Sequence, residues 1–449
     1  MKNRSKLAKS SMILLVNMAF YLFWYFYDGV LVSADSQGYI EFAFSREPLY
    51  PLFLAFFRLL FGQTGYLQII ILFQCVIAAI ASWRLTMLLI HKLDLKLISI
   101  LAVTAAQFMV VLLCRFFAQR GATYCNEVCS EGLAIPLFTL FLARVIAFAW
   151  DYKYRDLVIA MCYAVLLMST RKQMYITLII LFLVYAGLFV FHKVNWKKML
   201  FAFSSIVVAF LLFTGIDLLY NYAVRGEFMK HTTDSSAIVI TSFYCSNSEN
   251  EVSFKNREMG ELFHTIMSKI EDAGYSYQYA ERGWMNLASH YAKHYDQIAF
   301  TIVNPCFYEY IDSHYSLNSV EREQKFDEIN HSMMRILIRE NIGRIFKVAG
   351  ANILVGLCNS ISKASKWLNV YNLAFIILYV GLQVYMLIRK RGKTVLLLSA
   401  VCLVSTFVNA GVVGTMIFAQ SRYMIYNMPF MYIGMYLLVR EVLIGYNHK

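Results

Sequence analysis

Long apolar runs constrain this sequence more than any other feature. A stretch of about 17 to 25 mostly apolar residues can cross a bilayer as a helix. Ten such runs lie near 11–30, 66–90, 97–113, 131–150, 157–170, 174–191, 199–220, 368–388, 394–417 and 423–443. Because 59% of the 449 residues are hydrophobic and only 15% are charged, a water-soluble fold of this length is excluded. The sequence predicts an all-α polytopic membrane protein with about ten transmembrane helices.

Basic residues are distributed unevenly between the two sides of the membrane that these runs define. Lys and Arg concentrate in the segments "MKNRSKLAKS", "HKLDLK", "DYKYR", "HKVNWKK", "RKRGK" and "NHK", and are fewer in the short segments of the other side. The positive-inside rule therefore predicts a multi-pass protein with both termini in the cytoplasm. The Lys and Arg residues that give the net charge of +13 then lie near the anionic headgroups of membrane lipids. We therefore expect membrane lipids as partners and no nucleic acid.

The apolar runs divide the chain into three predicted parts. Residues 1–220 form a transmembrane module of about seven helices, with a first outer loop at 31–65, and residues 368–449 form about three more helices. A signal peptide is the alternative for the first run, but "FYLFWYFY" is too aromatic for one, so an uncleaved helix is favoured.

Between the two membrane parts, residues 221–367 are charged and rich in Tyr. Apolar residues recur at helical spacing in "FKNREMGELFHTIMSKIEDA" and "EREQKFDEINHSMMRILIREN", which predicts a mostly helical module outside the cytoplasm. Its last part, 341–367, is apolar but interrupted by Lys347, Asn359, Lys363 and Lys366. We interpret that part as an interfacial helix, with a membrane span as the alternative.

Charged residues recur at the outer ends of the apolar runs, in four separate loops. They are Asp35, Arg46, Arg120, Glu127, Glu131, Arg171, Lys172 and Arg422. Arg offers planar, two-pronged donors for phosphate oxygens, and a carboxylate can accept a proton from a hydroxyl. Such a set suits an enzyme that handles a lipid-linked anionic substrate at the outer membrane surface. The alternative for any single Arg is contact with headgroups, which accounts well for Arg58 and Arg115.

The carboxylates are harder to explain by headgroup contact, because an acid gains nothing from anionic lipid. Asp35 is the sharpest candidate, and its alternative role is to cap a short helix at 37–43. Glu127 and Glu131 are four positions apart and would share one face of the fourth transmembrane helix, with pairing to Arg120 as the structural alternative.

Three short motifs resemble those of a known family. "ADSQGYIEFA" with "REPLYPLFLAFFRLLFG", then "NEVCSEGLAIPLF" and "RYMIYNMPF", are similar to motifs of the GT-C class of membrane glycosyltransferases, in particular bacterial relatives of protein mannosyltransferases and aminoarabinose transferases. The matching positions in the first loop are Asp35, Tyr39, Arg46, Pro48 and Pro51. The resemblance covers residues 1–220 and the C-terminal helices.

The resemblance implies a bacterial cell-membrane enzyme that moves a sugar from a polyprenyl-phosphate-linked donor to a glycan, lipid or protein acceptor. It implies that Asp35 is the catalytic base, and that the other charged residues and Tyr39 bind the substrate. Many members carry a second acid where this chain has Ser36, and this departure speaks against metal assistance. A divalent cation stays open as a cofactor, without an assigned metal ligand. The alternatives are a transporter or flippase of lipid-linked saccharides and a non-catalytic scaffold.

Overall fold

The computed structural model describes residues 2–117, 121–192, 195–232 and 236–447. These residues form helices and contain no strand. The α-helices are, in chain order, α1 (Lys2–Asp28), α2 (Ala34–Ile40), α3 (Leu49–Phe61), α4 (Tyr66–Leu93), α5 (Leu97–Phe117), α6 (Glu131–Asp151), α7 (Tyr154–Met168), α8 (Ile176–His192), α9 (Trp196–Arg225), α10 (Ser236–Cys245), α11 (Arg257–Asp272), α12 (Trp284–Asp296), α13 (Asn304–His314), α14 (Ser319–Asn359), α15 (Asn369–Ile388), α16 (Lys393–Met416), α17 (Ser421–Met424) and α18 (Met428–Asn447).

Within the described residues, nine helices are long and apolar enough to cross a membrane. All but α14 coincide with runs predicted from the sequence. Two predicted runs are absent from this set: 157–170 forms α7, with only 15 residues, and 423–443 is divided between α17 and α18. The chain is an all-α, multi-pass integral membrane protein.

The described chain separates into two compact units. Unit 1 comprises Met1–Met229, Cys358–Asn409 and Ser421–Lys449, and unit 2 comprises Lys230–Leu357 and Ala410–Gln420. In unit 1, α6 packs against α4 and α7, and 83% of its apolar stretch is buried. Most of the apolar stretch of α6 consequently contacts protein rather than lipid.

Unit 2 has its own hydrophobic core. Phe243 of α10, Phe263 of α11, Tyr291 of α12 and Phe307 of α13 are fully buried in it. The helices predicted at 254–273 and 321–341 are confirmed as α11 and the first half of α14. In α11, apolar residues spaced three or four apart face the core, which explains why this segment folds as a helix.

Helix α14 is 41 residues long and kinked at Asn341, whose φ of −118° and ψ of 16° are not helical. Asn341 Nδ2 donates to Ser246 Oγ at 3.0 Å and to the Leu337 carbonyl at 3.2 Å, which holds the kink in unit 2. The predicted interfacial helix at 341–367 ends at Asn359. Because α14 also has the length and composition of a span, both interpretations of this segment stay open.

Candidate functional site

Helix α2 begins the candidate site, because it carries Asp35 immediately after the first span. The residue that caps α2 is Ser33, whose backbone N–H donates to Ser36 Oγ at 2.9 Å. The helix covers Ala34–Ile40, so Asp35 lies in its first turn. The alternative role of Asp35 as a cap for 37–43 is therefore wrong, and its carboxylate points to other partners.

Those partners are two arginines of unit 1, one 11 positions along the chain and the other 387 positions along it. Arg46 Nη2 lies 3.1 Å from Asp35 Oδ1, and Arg422 Nη1 lies 3.1 Å from Asp35 Oδ2. Each carboxylate oxygen thus has its own guanidinium. The Asp35 side chain keeps 35% of its surface exposed, so this ion-pair group opens to the outside of the fold.

Tyr39 packs against Arg46 and orients its guanidinium. Its ring centroid lies 4.3 Å from the Arg46 guanidinium carbon, and its hydroxyl accepts a hydrogen bond from Arg46 Nη1 at 3.3 Å. The same hydroxyl lies 2.9 Å from Ser130 Oγ. Gly38 leaves room for the guanidinium, since a Cβ there would lie 3.0 Å from Arg46 Nε. Tyr39 is buried, and its contacts are those of a residue that orients Arg46.

A second ion-pair group lies deeper, at the start of α6. Glu131 has a side chain that is only 4% exposed, and its Oε1 pairs with Arg171 Nη1. Arg422 Nε lies 4.0 Å from the same oxygen, while the Cys129 thiol donates to Glu131 Oε2 at 2.6 Å. Arg422 therefore joins the exposed carboxylate Asp35 to the buried carboxylate Glu131.

The cluster contains three guanidiniums that share two carboxylates in direct ion pairs, and the buried carboxylate of Glu47 adds negative charge near Arg46. Burial raises the pKa of the Asp35 carboxyl, but Arg422 and Arg46 outweigh burial and hold that pKa below its usual value. Among the described residues, Nε of Arg46 and Nε of Arg422 have no hydrogen-bond partner. Asp35 is thus ionised at neutral pH, and the two buried Nε–H groups keep a hydrogen-bonding capacity that the described contacts do not use.

The Arg422 segment is fixed by buried amides. Gln173 Nε2 donates at 2.8 Å to both Asn409 Oδ1 and the Tyr423 carbonyl. Asn409 Nδ2 donates to the same carbonyl at 2.8 Å and to Asn427 Oδ1 at 2.9 Å. Arg422 Nη2 donates to the Tyr423 hydroxyl at 2.9 Å. This amide network, Gln173, Asn409 and Asn427, was not predicted, although a polar residue inside an apolar run signals such a role.

The loop before α6 is held in a similar way. Gln74 of α4 is buried and donates from Nε2 to the carbonyls of Cys125 (2.8 Å) and Glu127 (3.1 Å). Tyr50 in turn donates to Gln74 Oε1 at 2.8 Å. These bonds fix the backbone that leads into Ser130 and Glu131.

Three further predicted site residues are Arg120, Glu127 and Lys172. Arg120 lies outside the described residues. Glu127 is buried in the loop before α6, so it does not share a helix face with Glu131 as predicted. Lys172 begins a 3₁₀ turn next to Arg171. Substrate binding by these three residues stays a prediction.

Arg115 behaves differently from the expected headgroup anchor. Its Nη2 lies 2.7 Å from Asp28 Oδ1, and its Nε donates to both Asp28 oxygens. The Asp28 side chain is 1% exposed, so this bidentate pair ties α5 to the end of α1. Arg115 thus has a structural role inside unit 1.

The described surroundings of Asp35 do not suit a divalent cation. Both of its oxygens face guanidiniums, and no group of three or more His, Cys, Asp or Glu residues in the described part of the chain could hold a metal ion. Positive charge at this site is supplied by arginine.

Comparison with known proteins leaves the site to be interpreted from its chemistry. No model of a known protein family matches this chain, and no curated protein matches it. The resemblance to GT-C glycosyltransferases thus rests on the short motifs alone.

Proposed function

We propose that this protein transfers a sugar from a polyprenyl-phosphate-linked donor to an acceptor at the outer face of a bacterial cell membrane. The observation that carries the proposal is the Asp35 carboxylate held between Arg46 and Arg422 at the open side of an arginine-rich cluster. A candidate base and candidate phosphate ligands lie side by side, and the transfer needs both kinds of group near the reacting atoms. The acceptor is a glycan, lipid or protein hydroxyl in assembly or modification of the cell surface.

The reaction is a single displacement. The acceptor hydroxyl attacks the anomeric carbon, the bond from that carbon to the phosphate oxygen breaks, and the hydroxyl proton passes to Asp35. Polyprenyl phosphate leaves with the bonding electrons, and its added negative charge is stabilised by arginine. Displacement from the opposite face inverts the anomeric configuration.

Donor binding also prepares the base in this scheme. Phosphate oxygens compete with Asp35 for Arg46 and Arg422, because bidentate guanidinium contacts suit either anion. Once these arginines turn to phosphate, the carboxylate loses the partners that lower its pKa. Asp35 is then a stronger base in the donor complex than in the free protein.

Mass analysis of surface glycan from a deletion strain tests this function against the flippase alternative. Sugar transfer predicts a polymer that lacks one sugar, restored by a plasmid copy of the protein. An intact sugar composition with lipid-linked intermediate accumulated at the inner face would contradict the proposal.

A further inference from the structure

A pocket lies entirely within unit 2 and includes none of the ion pairs described above. Its volume is about 510 Å³, in the range of small-molecule sites. One wall is the turn that leads into α12, with Tyr277, Glu281 and Trp284. The other wall is one face of α14, with Phe346 and Gly350. Residues four apart lie on the same helix face, so α14 contributes a continuous surface.

The lining combines aromatic rings with charged and amide side chains. Tyr277 and Trp284 are half-buried, and Phe346 is exposed, so three rings are available to a ligand. The polar members are Gln278, Glu281, Arg282 and Lys347. The pocket therefore offers an amide, a carboxylate and two cations around its aromatic surface.

The turn that forms the first wall is fixed by its own hydrogen bonds. The backbone N–H of Tyr279 donates to the Ser276 carbonyl at 3.1 Å, and that of Ala280 donates to the Tyr277 carbonyl at 3.1 Å. Asn286 Nδ2 donates to the Arg282 carbonyl at 2.9 Å, across Gly283 with its positive φ of 110°. A wall ordered in advance loses little entropy when a ligand binds.

We infer that this pocket binds a saccharide. A sugar ring presents C–H groups that pack on aromatic faces and hydroxyls that both donate and accept hydrogen bonds, and this lining meets both requirements. The phosphate of an anionic lipid would be attracted by Arg282 and Lys347, but it has no donor for Glu281 and no C–H face for the aromatic rings. Saccharide binding stands without the transfer reaction, whereas its role as the acceptor's site rests on the proposed function.

Two glycines of α14 provide a matched pair of variants. A Cβ added at Gly350 or at Gly343 meets no atom within 4 Å, but only Gly350 lines the pocket. Gly350→Leu would fill the pocket, and Gly343→Leu adds the same side chain elsewhere on the helix. Both replace glycine in a helix, which favours helix formation by about 1 kcal/mol. Loss of binding in Gly350→Leu alone thus cannot arise from a weakened fold.

The experiment exposes the full-length, detergent-purified protein to an array of neutral and acidic di- to tetrasaccharides, then titrates those retained. We expect the wild type and Gly343→Leu to bind at least one saccharide, with Gly350→Leu and Trp284→Ala weaker by about tenfold or more. No retained saccharide, or equal binding by Gly350→Leu, would overturn the inference. The inference would also be overturned if Gly350→Leu abolished the binding of short-chain phosphatidylglycerol but not that of any saccharide.

The same titration on Asp35→Asn separates this inference from the proposed function. We expect that variant to bind saccharide as the wild type does, because Asp35 belongs to the other unit. Saccharide binding by a wild-type protein without transferase activity would leave the pocket in place and remove only its role as acceptor site.

Discussion

Arg422 and Asp35 are 387 positions apart in the sequence, and their side chains form an ion pair of 3.1 Å. The pair connects the loop that follows the first span to the segment that precedes the last helix. Arg422 also approaches Glu131 and donates to Tyr423, so one guanidinium serves three neighbours. Only a planar group with several donors can make these contacts together.

Replacement of Arg422 by Lys tests that geometry. An ammonium keeps the charge but cannot contact Asp35, Glu131 and Tyr423 at once, so we expect sugar transfer to fall by about tenfold or more. Arg58→Lys is the matched control, because an arginine that only contacts headgroups tolerates lysine. The measurement is the sugar-transfer rate of membranes that contain equal amounts of each variant. Equal rates for Arg422→Lys and Arg58→Lys would mean that Arg422 only anchors the chain at the headgroups.

Glu131→Gln should destabilise the protein. Removal of one charge from a buried pair leaves Arg171 without its partner, which costs about 3–5 kcal/mol. The control is Glu261→Gln, since the Glu261–Arg257 pair is exposed and such pairs contribute at most about 1 kcal/mol. Thermal unfolding in detergent should show a clear decrease in Tm for Glu131→Gln only. A similar Tm for both variants would mean that the Glu131–Arg171 pair adds little to stability.

Part of this site was predictable from the sequence, and part was not. Asp35, Arg46 and Arg422 follow from charge at the ends of apolar runs, because charge at that depth is costly without a partner. The partners themselves depend on which helix ends meet, which hydropathy does not encode. The alternative capping role of Asp35 is wrong for a local reason, since α2 begins at Ala34 with Ser33 as its N-cap and Asp35 already lies inside the helix.

The helices show the same division. Length and hydropathy predicted most spans, but they predicted a single run at 423–443 where the chain breaks between α17 and α18. The break is stabilised by Asn409 and Gln173 from other helices, and such tertiary contacts are not visible in local composition.

Asn409→Ala should impair transfer through Arg422. The change leaves the Tyr423 carbonyl and Asn427 short of a buried hydrogen bond, at a cost of about 1–3 kcal/mol, and loosens the segment that carries Arg422. Asn372→Ala is a control, because Asn372 is equally buried but bonds to Ser362. We expect the two variants to lose a comparable amount of Tm. Only Asn409→Ala should also show a lower transfer rate. Equal transfer rates would show that the amide network is only structural.

Orientation can be tested by single-cysteine labelling in a background without native cysteines. The charge distribution predicts that an impermeant maleimide added outside intact cells reaches Gln37→Cys but not Lys198→Cys or Lys393→Cys. Labelling at Lys393→Cys would instead make 341–359 a membrane span and invert the helices that follow it.

Asp35→Asn tests whether the Asp35 carboxylate is the general base of the transfer. The variant keeps the shape of the side chain, and Ser33 still caps α2. The ion pairs that it weakens are 25% to 35% exposed, unlike the buried Glu131–Arg171 pair, so folding should survive. Loss of a general base typically lowers the rate by about 10² to 10⁴. Glu41→Gln is the control, since Glu41 is exposed and contacts Gln37 rather than an arginine. The measurement is sugar transfer from a polyprenyl-phosphate donor by purified, folded protein. We expect a loss of at least about a hundredfold for Asp35→Asn and near-normal turnover for Glu41→Gln. Near-normal turnover by Asp35→Asn would show that Asp35 is not the general base.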